Sequence, residues 1–247
     1  MTRSSQINNT LAPLRNVLAF RTMLQRLDDR SAGLTGMGCF YGPAGFGKTM
    51  ASIYSANARG ACLVQCESTW TVKTLCLVIL EELGLKPART TPEMSRQIQQ
   101  ALAQDDIPLI VDEADFLVSK KSVEILRDIY EKSGVPVILV GEEALPSKLR
   151  RWERIHSRML ERVAAEPLDD EDFGHLVAIR CPDVAISQDL AAAIKLASKG
   201  SARLIVNNLD TVRLRAAQLG GKGEMALADL GGIGLHDGTP PQMRRFG

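Results

Sequence analysis

Gly42-Pro43-Ala44-Gly45-Phe46-Gly47-Lys48-Thr49 matches the pattern GxxxxGK[ST]. It lies between a short apolar run, Met37 to Tyr41, and a segment with helical spacing. A strand, a glycine-rich turn and a helix start are the context in which this pattern binds phosphate. The glycines let successive backbone N–H groups face a polyphosphate, and the helix N-terminus adds its partial positive charge. Lys48 is then expected to meet the β- and γ-phosphates, with the Thr49 hydroxyl on Mg²⁺. Met50, next along the first helical turn, completes a candidate ATP-binding set of Gly42, Pro43, Ala44, Gly45, Phe46, Gly47, Lys48, Thr49, Met50 and, downstream, Asp112. The plainer reading is a glycine turn that only joins two elements, and the flanking elements argue against it.

The downstream partner is Ile107-Pro108-Leu109-Ile110-Val111-Asp112-Glu113, an apolar strand that ends in two carboxylates. Ligands of open α/β sheets bind at the C-terminal ends of the strands. Asp112 is expected to hold Mg²⁺ through water, and Glu113 to polarise the attacking water as general base. Alone, such a strand end is weak evidence, because acidic residues often just terminate strands. Paired with the upstream loop it becomes a strong signal.

Around these two stretches, apolar runs at 37–41, 61–65, 108–111, 135–140 and 163–167 alternate with helical patterns at 48–57, from 66 to Leu83, 92–103, 122–132 and 146–161. That alternation predicts a parallel sheet with helices on both faces. Three further helical patterns, 171–178, 188–197 and 203–217, follow with no strand between them and predict a small helical lid. Residues 1–35 read as an N-terminal helical segment, 36–168 as the core, 169–218 as the lid and 219–247 as a mobile glycine-rich tail.

Composition narrows the function classes. No apolar run approaches the length of a membrane span and no charged-then-apolar leader opens the chain, so a soluble, cytoplasmic protein without a membrane partner is expected. Five cysteines without a CxxC pair read as reduced core residues. Aromatic residues make up only 4%, which disfavours a base-stacking surface for single strands. Thirty basic residues oppose twenty-nine acidic ones, so any basic surface must be local.

One such surface is predicted between residues 148 and 162, where Lys148, Arg150, Arg151, Arg154, Arg158 and Arg162 outnumber Glu153 and Glu161. Spacings of three and four put Arg151, Arg154, Arg158 and Arg162 on one face of the helix expected there. A solvated face is the plain reading; contact with DNA phosphates through Arg150, Arg151 and Arg154 is the functional one. A second candidate is the helix start with Thr69, Trp70, Thr71 and Lys73, whose hydroxyls, indole and lysine suit a phosphate backbone. There the plain reading is a capped helix with Trp70 packed inward.

From about residue 35 to residue 217 the sequence resembles the AAA+ ATPases. The resemblance implies an α/β AAA+ P-loop NTPase fold with a C-terminal helical lid, and Mg²⁺-dependent ATP hydrolysis. It implies a γ-phosphate sensor after the strand Val137-Ile138-Leu139-Val140-Gly141, where Glu142 stands in place of the family's usual Asn, Thr or Ser. In Gly200-Ser201-Ala202-Arg203 it implies a lid arginine at Arg203, and in His156-Ser157-Arg158 an arginine finger at Arg158, with Arg154 second.

Within AAA+, the Val140-Gly141-Glu142-Glu143-Ala144-Leu145 turn and the arginine-rich segment look most like the transposition ATPases of Mu-like phages. That resemblance implies a phage- or transposon-borne protein of a bacterial host. Its partners would be weakly sequence-specific double-stranded DNA, a DDE-type transposase, and other copies in an ATP-dependent oligomer or helical filament. About 35 residues before the first strand are too few for the helix-turn-helix domain of the Mu protein, so DNA contacts are expected in the core or tail. A helicase loader acting in replication is the alternative, and a metabolic P-loop kinase a third option.

Overall fold

A computed structural model describes residues 14–221 and 223–239. The described residues divide into two compact units, one of residues Asn16–Ala165 and one of Leu14 and Arg15 together with those from Glu166 to Thr239.

The first unit is built on five parallel strands, β1 (Met37–Tyr41), β2 (Cys62–Gln65), β3 (Leu109–Asp112), β4 (Val137–Gly141) and β5 (Met159–Ala164), in the order β2-β3-β4-β1-β5. Each residue of β3 and β4 is buried, as a parallel strand covered on both faces requires. The helices are α1 (Arg15–Asp28), α2 (Lys48–Arg59), α3 (Val72–Glu82), α4 (Thr91–Gln104), α5 (Asp115–Ser119), α6 (Glu124–Ser133), α7 (Leu145–Leu149) and α8 (Glu153–His156). From Asn16 onward α1 counts with the sheet: Phe20 meets Phe40 edge to face with ring centres 5.1 Å apart, and both are fully buried. The part of the expected N-terminal segment before Leu14 lies outside the described residues. All five cysteines are buried, and burial pushes the thiols of Cys39, Cys62 and Cys66 up to about 12.

The sheet order has a chemical consequence. β4 lies between β1 and β3, so the turn after β4 begins between the strand ends that lead into the glycine-rich loop and the carboxylate pair. The Gly42 N–H donates to the Gly141 carbonyl at 3.3 Å, and the Ala114 N–H to the Val140 carbonyl at 2.9 Å. Three strand ends thus converge at one edge, where the order reverses between β1 and its neighbours.

The basic helix expected over 146–161 is not one helix. It breaks into α7 and α8, Trp152 leaves helical geometry at φ −109°, ψ 74°, and the chain from Met159 is strand β5. The arginine spacing suited a helix, but pairing with β1 draws the stretch from Met159 into the sheet. Arg162 therefore sits in a strand, Arg158 sits just before it, and no single helix face carries the four arginines.

The second unit contains α9 (Asp170–Arg180), β6 (Ala185–Ile186), α10 (Gln188–Ser198), α11 (Ala202–Gln218), β7 (Glu224–Met225) and a 3₁₀ turn (Leu227–Leu230). Two expectations fail here. A short strand does separate α9 from α10, since β6 pairs in parallel with β7. The stretch read as a mobile tail is packed over 223–239: Met225 and Leu230 are buried in the helical core, and Asn208 grips the segment that follows. Residues 240–247 of that tail lie outside the described residues.

Asn208 is fully buried; its Nδ2 donates to Ser198 Oγ at 3.1 Å and to the His236 carbonyl at 3.0 Å, and its Oδ1 accepts the His236 N–H at 2.6 Å. Removing both groups strands three polar partners, which costs roughly 2–3 kcal/mol. Asn208→Ala is therefore expected to lower the denaturant midpoint of the helical unit with an unchanged slope. A shift equivalent to less than about 0.5 kcal/mol would contradict this role for Asn208.

Candidate nucleotide site

The loop after β1 is shaped for backbone donors. Gly42, Gly45 and Gly47 have φ of 154°, 85° and 82°, and a Cβ on Gly42 would come within 3.0 Å of the Ala165 Cβ. The Lys48 ammonium lies over the loop and donates to the carbonyls of Gly42 at 2.7 Å and Pro43 at 2.8 Å. Buried Asn16 on α1 donates to the Phe46 carbonyl at 2.8 Å, so the loop is also held from below by a residue that sequence reading missed. Nothing local marks Asn16, a polar residue within an amphipathic helix. Met50 is 40% exposed in the first turn of α2, and Ala44 is exposed at the loop tip.

Opposite the loop, Thr49 Oγ1 donates to Asp112 Oδ2 at 2.8 Å, and the Glu113 N–H donates to Asp112 Oδ1 at 2.9 Å. Asp112 is 2% exposed. A hydroxyl and a buried carboxylate in contact form an all-oxygen set of the kind hard Mg²⁺ takes, so the residues present fit that ion. Glu113 has φ 54°, a left-handed conformation uncommon outside glycine. Such a residue is held in place by its surroundings, and residues of this kind cluster at functional sites.

Charge is dense here. Burial, then the neighbouring Asp112, push the Glu113 carboxyl above the ordinary range, with Lys48 opposing them and Glu142 and Asp115 adding to the rise. Burial pulls the Lys48 ammonium below its usual value, while Asp112, Glu113, Glu142 and Asp115 resist that fall. Glu142, the expected sensor, is exposed, and its N–H donates to Asp115 Oδ2 at 2.7 Å. Phosphate loop, Asp112, Glu113 and Glu142 are thus brought together at one edge. Asp115 was missed, although it stands two residues after Glu113.

Other expected residues lie elsewhere. Arg203 is exposed in the first turn of α11, after the Ser201 cap, and belongs to the helical unit. Arg158 is ion-paired with Glu131 of α6 at 2.9 Å. Arg150, Arg151 and Arg154 are exposed, on the short segments around α7 and α8. Thr69, Thr71 and Lys73 are exposed, while Trp70 packs against the core, so its indole takes the inward-packed reading. The Thr71 hydroxyl caps α3 by accepting the Thr74 N–H at 3.2 Å. Lys120, from the end of α5, donates to the Trp70 carbonyl at 2.9 Å.

Residues 31–149 match the model of the AAA domain. The fold is that of AAA+ P-loop NTPases, a domain consistent with ATP hydrolysis. No curated protein matches the sequence. Among solved structures, the ORC1 protein of Aeropyrum pernix in complex with DNA is similar at a TM-score of 0.60 and 16% identity, over 87% of this chain and 62% of that one. Cdc6 of Pyrobaculum aerophilum gives 0.57 and 15% over 83% and 62%, and a Walker-type ATPase of Pyrococcus abyssi 0.63 and 17% over 82% and 68%. The chain thus spans about three-fifths of the length of the first two.

These findings correct the resemblance to transposition ATPases, since the likeness is to an ORC1 and a Cdc6 protein. The DDE-type transposase is therefore withdrawn as a partner. One physical reason is visible: the arginine-rich helix that carried part of the resemblance does not exist as a helix. Among the described residues no helix is long and apolar enough to cross a membrane.

Proposed function

We propose that this protein is an ATP-switched, DNA-binding AAA+ ATPase of the kind that acts in replication initiation or helicase loading. The observation that carries this reading is the shared fold with an ORC1 protein whose structure contains DNA. The match of residues 31–149 to the AAA domain supports the ATP half of it.

In this reading the N–H groups of the loop 42–49 and the N-terminus of α2 hold the phosphates, with Lys48 turning from the Gly42 and Pro43 carbonyls to the β- and γ-phosphate oxygens. Thr49 and Asp112 would hold Mg²⁺, which when bound offsets the charge on those oxygens. Glu113 orients and deprotonates the water that attacks the γ-phosphorus. Its raised proton affinity suits a base that must accept a proton near neutral pH. Glu142 stands beside this pair as the group that faces the γ-phosphate, and Arg203 remains the lid candidate.

DNA would be met through phosphates. The exposed Thr69, Thr71 and Lys73 are of the type that grips a backbone without reading bases, as are Arg150, Arg151 and Arg154. Binding should therefore be nearly equal for two duplexes of unrelated sequence and should weaken steeply with salt. Four to six phosphate contacts would lower affinity by roughly 10²- to 10³-fold between 50 and 200 mM salt. Titrating both duplexes across that range by fluorescence anisotropy tests it. A tight, salt-insensitive preference for one duplex would overturn the reading.

A further inference from the structure

We propose that Asp115 is a positioning residue of the hydrolytic reaction, holding the turn after β4, and with it Glu142, against the strand end that carries Asp112 and Glu113. The inference rests on the reading of Glu113 as the base. It starts from a carboxylate that is only 11% exposed and uses both of its oxygens. Oδ2 accepts the Glu142 N–H at 2.7 Å, and Oδ1 accepts Lys148 Nζ of α7 at 2.6 Å. The fit is close: a Cβ on Gly141 would stand 2.2 Å from Asp115 Oδ2. The last residue of β4 therefore lacks a side chain where this carboxylate docks.

The same two segments are also joined by backbone, through the Ala114 N–H on the Val140 carbonyl. Asp115 thus closes the second half of a clamp whose first half is the sheet itself. Its partners lie 27 and 33 residues away, so the clamp sets a relation between strand ends that no local preference would fix. What it fixes is the distance between Glu142 and Glu113. A charge-bearing turn that drifts by about 1 Å can cost on the order of 10²-fold in rate while leaving substrate binding alone. Phosphate binding is assigned to the N–H groups and Lys48 of the loop 42–49, which meets the β4 turn through the Gly42 N–H on the Gly141 carbonyl and not through Asp115's hydrogen bonds, so loss of the Asp115 side chain should divide kcat from KM.

A plain brace between α5 and α7 is the competing explanation, and it predicts lost stability without that division. Lys148 is 37% exposed and can turn to water, so neutralising its partner need not unfold the chain. The test is steady-state ATP hydrolysis by the full chain with Mg²⁺, with thermal unfolding of every variant. Asp115→Ala should lower kcat by roughly 100-fold with KM within about threefold of the parent, and Asp115→Asn, which keeps an acceptor for the Glu142 N–H, should recover about tenfold of that. Gly141→Ala removes no polar group yet displaces the carboxylate, and should reproduce the kcat loss. It keeps the proposal testable if Asp115→Ala does not fold. Turnover within about twofold of the parent in folded Asp115→Asn and Gly141→Ala would overturn the proposal. Glu113→Gln belongs in the same assay: if it turned over normally, the base assignment would fail, while the Asp115 comparison would still read whether the clamp matters.

Discussion

Glu113→Gln is expected to bind ATP as the parent does and to hydrolyse it about 10²- to 10⁴-fold more slowly. The amide keeps the size and the left-handed backbone of Glu113 but cannot accept a proton from water. Binding should survive because the phosphate contacts belong to the loop 42–49 and to Lys48, not to this side chain. The pH dependence adds a second signature. Glu113 works as a base only when deprotonated, and burial beside Asp112 raises its pKa. The parent's kcat should therefore fall on the acid side as Glu113 takes up a proton. That fall should be absent from whatever residual turnover Glu113→Gln shows. Parental turnover in the variant would remove Glu113 from the base role.

The second large effect is loss of nucleotide binding in Lys48→Ala. The Lys48 ammonium donates to the Gly42 and Pro43 carbonyls of the loop and so stands where the β- and γ-phosphates are proposed to bind. Charge-assisted contacts contribute roughly 1.5–3 kcal/mol each, so loss of the β- and γ-phosphate contacts should weaken binding by about 100-fold or more. The variant also leaves the Gly42 and Pro43 carbonyls without their donor, which loosens the loop itself. Fluorescent-nucleotide titration checks this. Affinity equal to that of the parent would mean that the loop 42–49 is not the phosphate site.

What the sequence made legible was local or periodic. The glycine-rich loop 42–49 could be placed between a strand and a helix because its glycines, its lysine and its threonine are contiguous and its flanks have strand and helix patterns. Asp112 and Glu113 could be read because they end an apolar run. The alternation of strand and helix likewise announced a parallel sheet. Its order, β2-β3-β4-β1-β5, emerges only from the structure and is what sets the end of β4 between the ends of β1 and β3.

Features set by distant partners were not legible. Arginines spaced by three and four between 151 and 162 imitate one helix face, and only pairing with β1 turns the stretch from Met159 into a strand. Gly-rich residues beyond 219 imitate a loose tail, because the burial of Met225 and Leu230 and the grip of Asn208 depend on α11. Asp115 gave only a weak hint, a further carboxylate after Asp112 and Glu113, since both of its side-chain partners come from the β4 turn and α7.

In the function proposed for this protein, the state of the nucleotide at the Lys48, Thr49, Asp112 and Glu113 site governs binding to DNA. The measurement that tests it most directly is the anisotropy of one labelled duplex at fixed salt. Glu113→Gln holds ATP and Mg²⁺ in the first titration, and ADP and Mg²⁺ in the second. Affinity should be at least about tenfold higher with ATP, a coupling of about 1.4 kcal/mol between the two ligands. Equal affinity with ATP and ADP would contradict it.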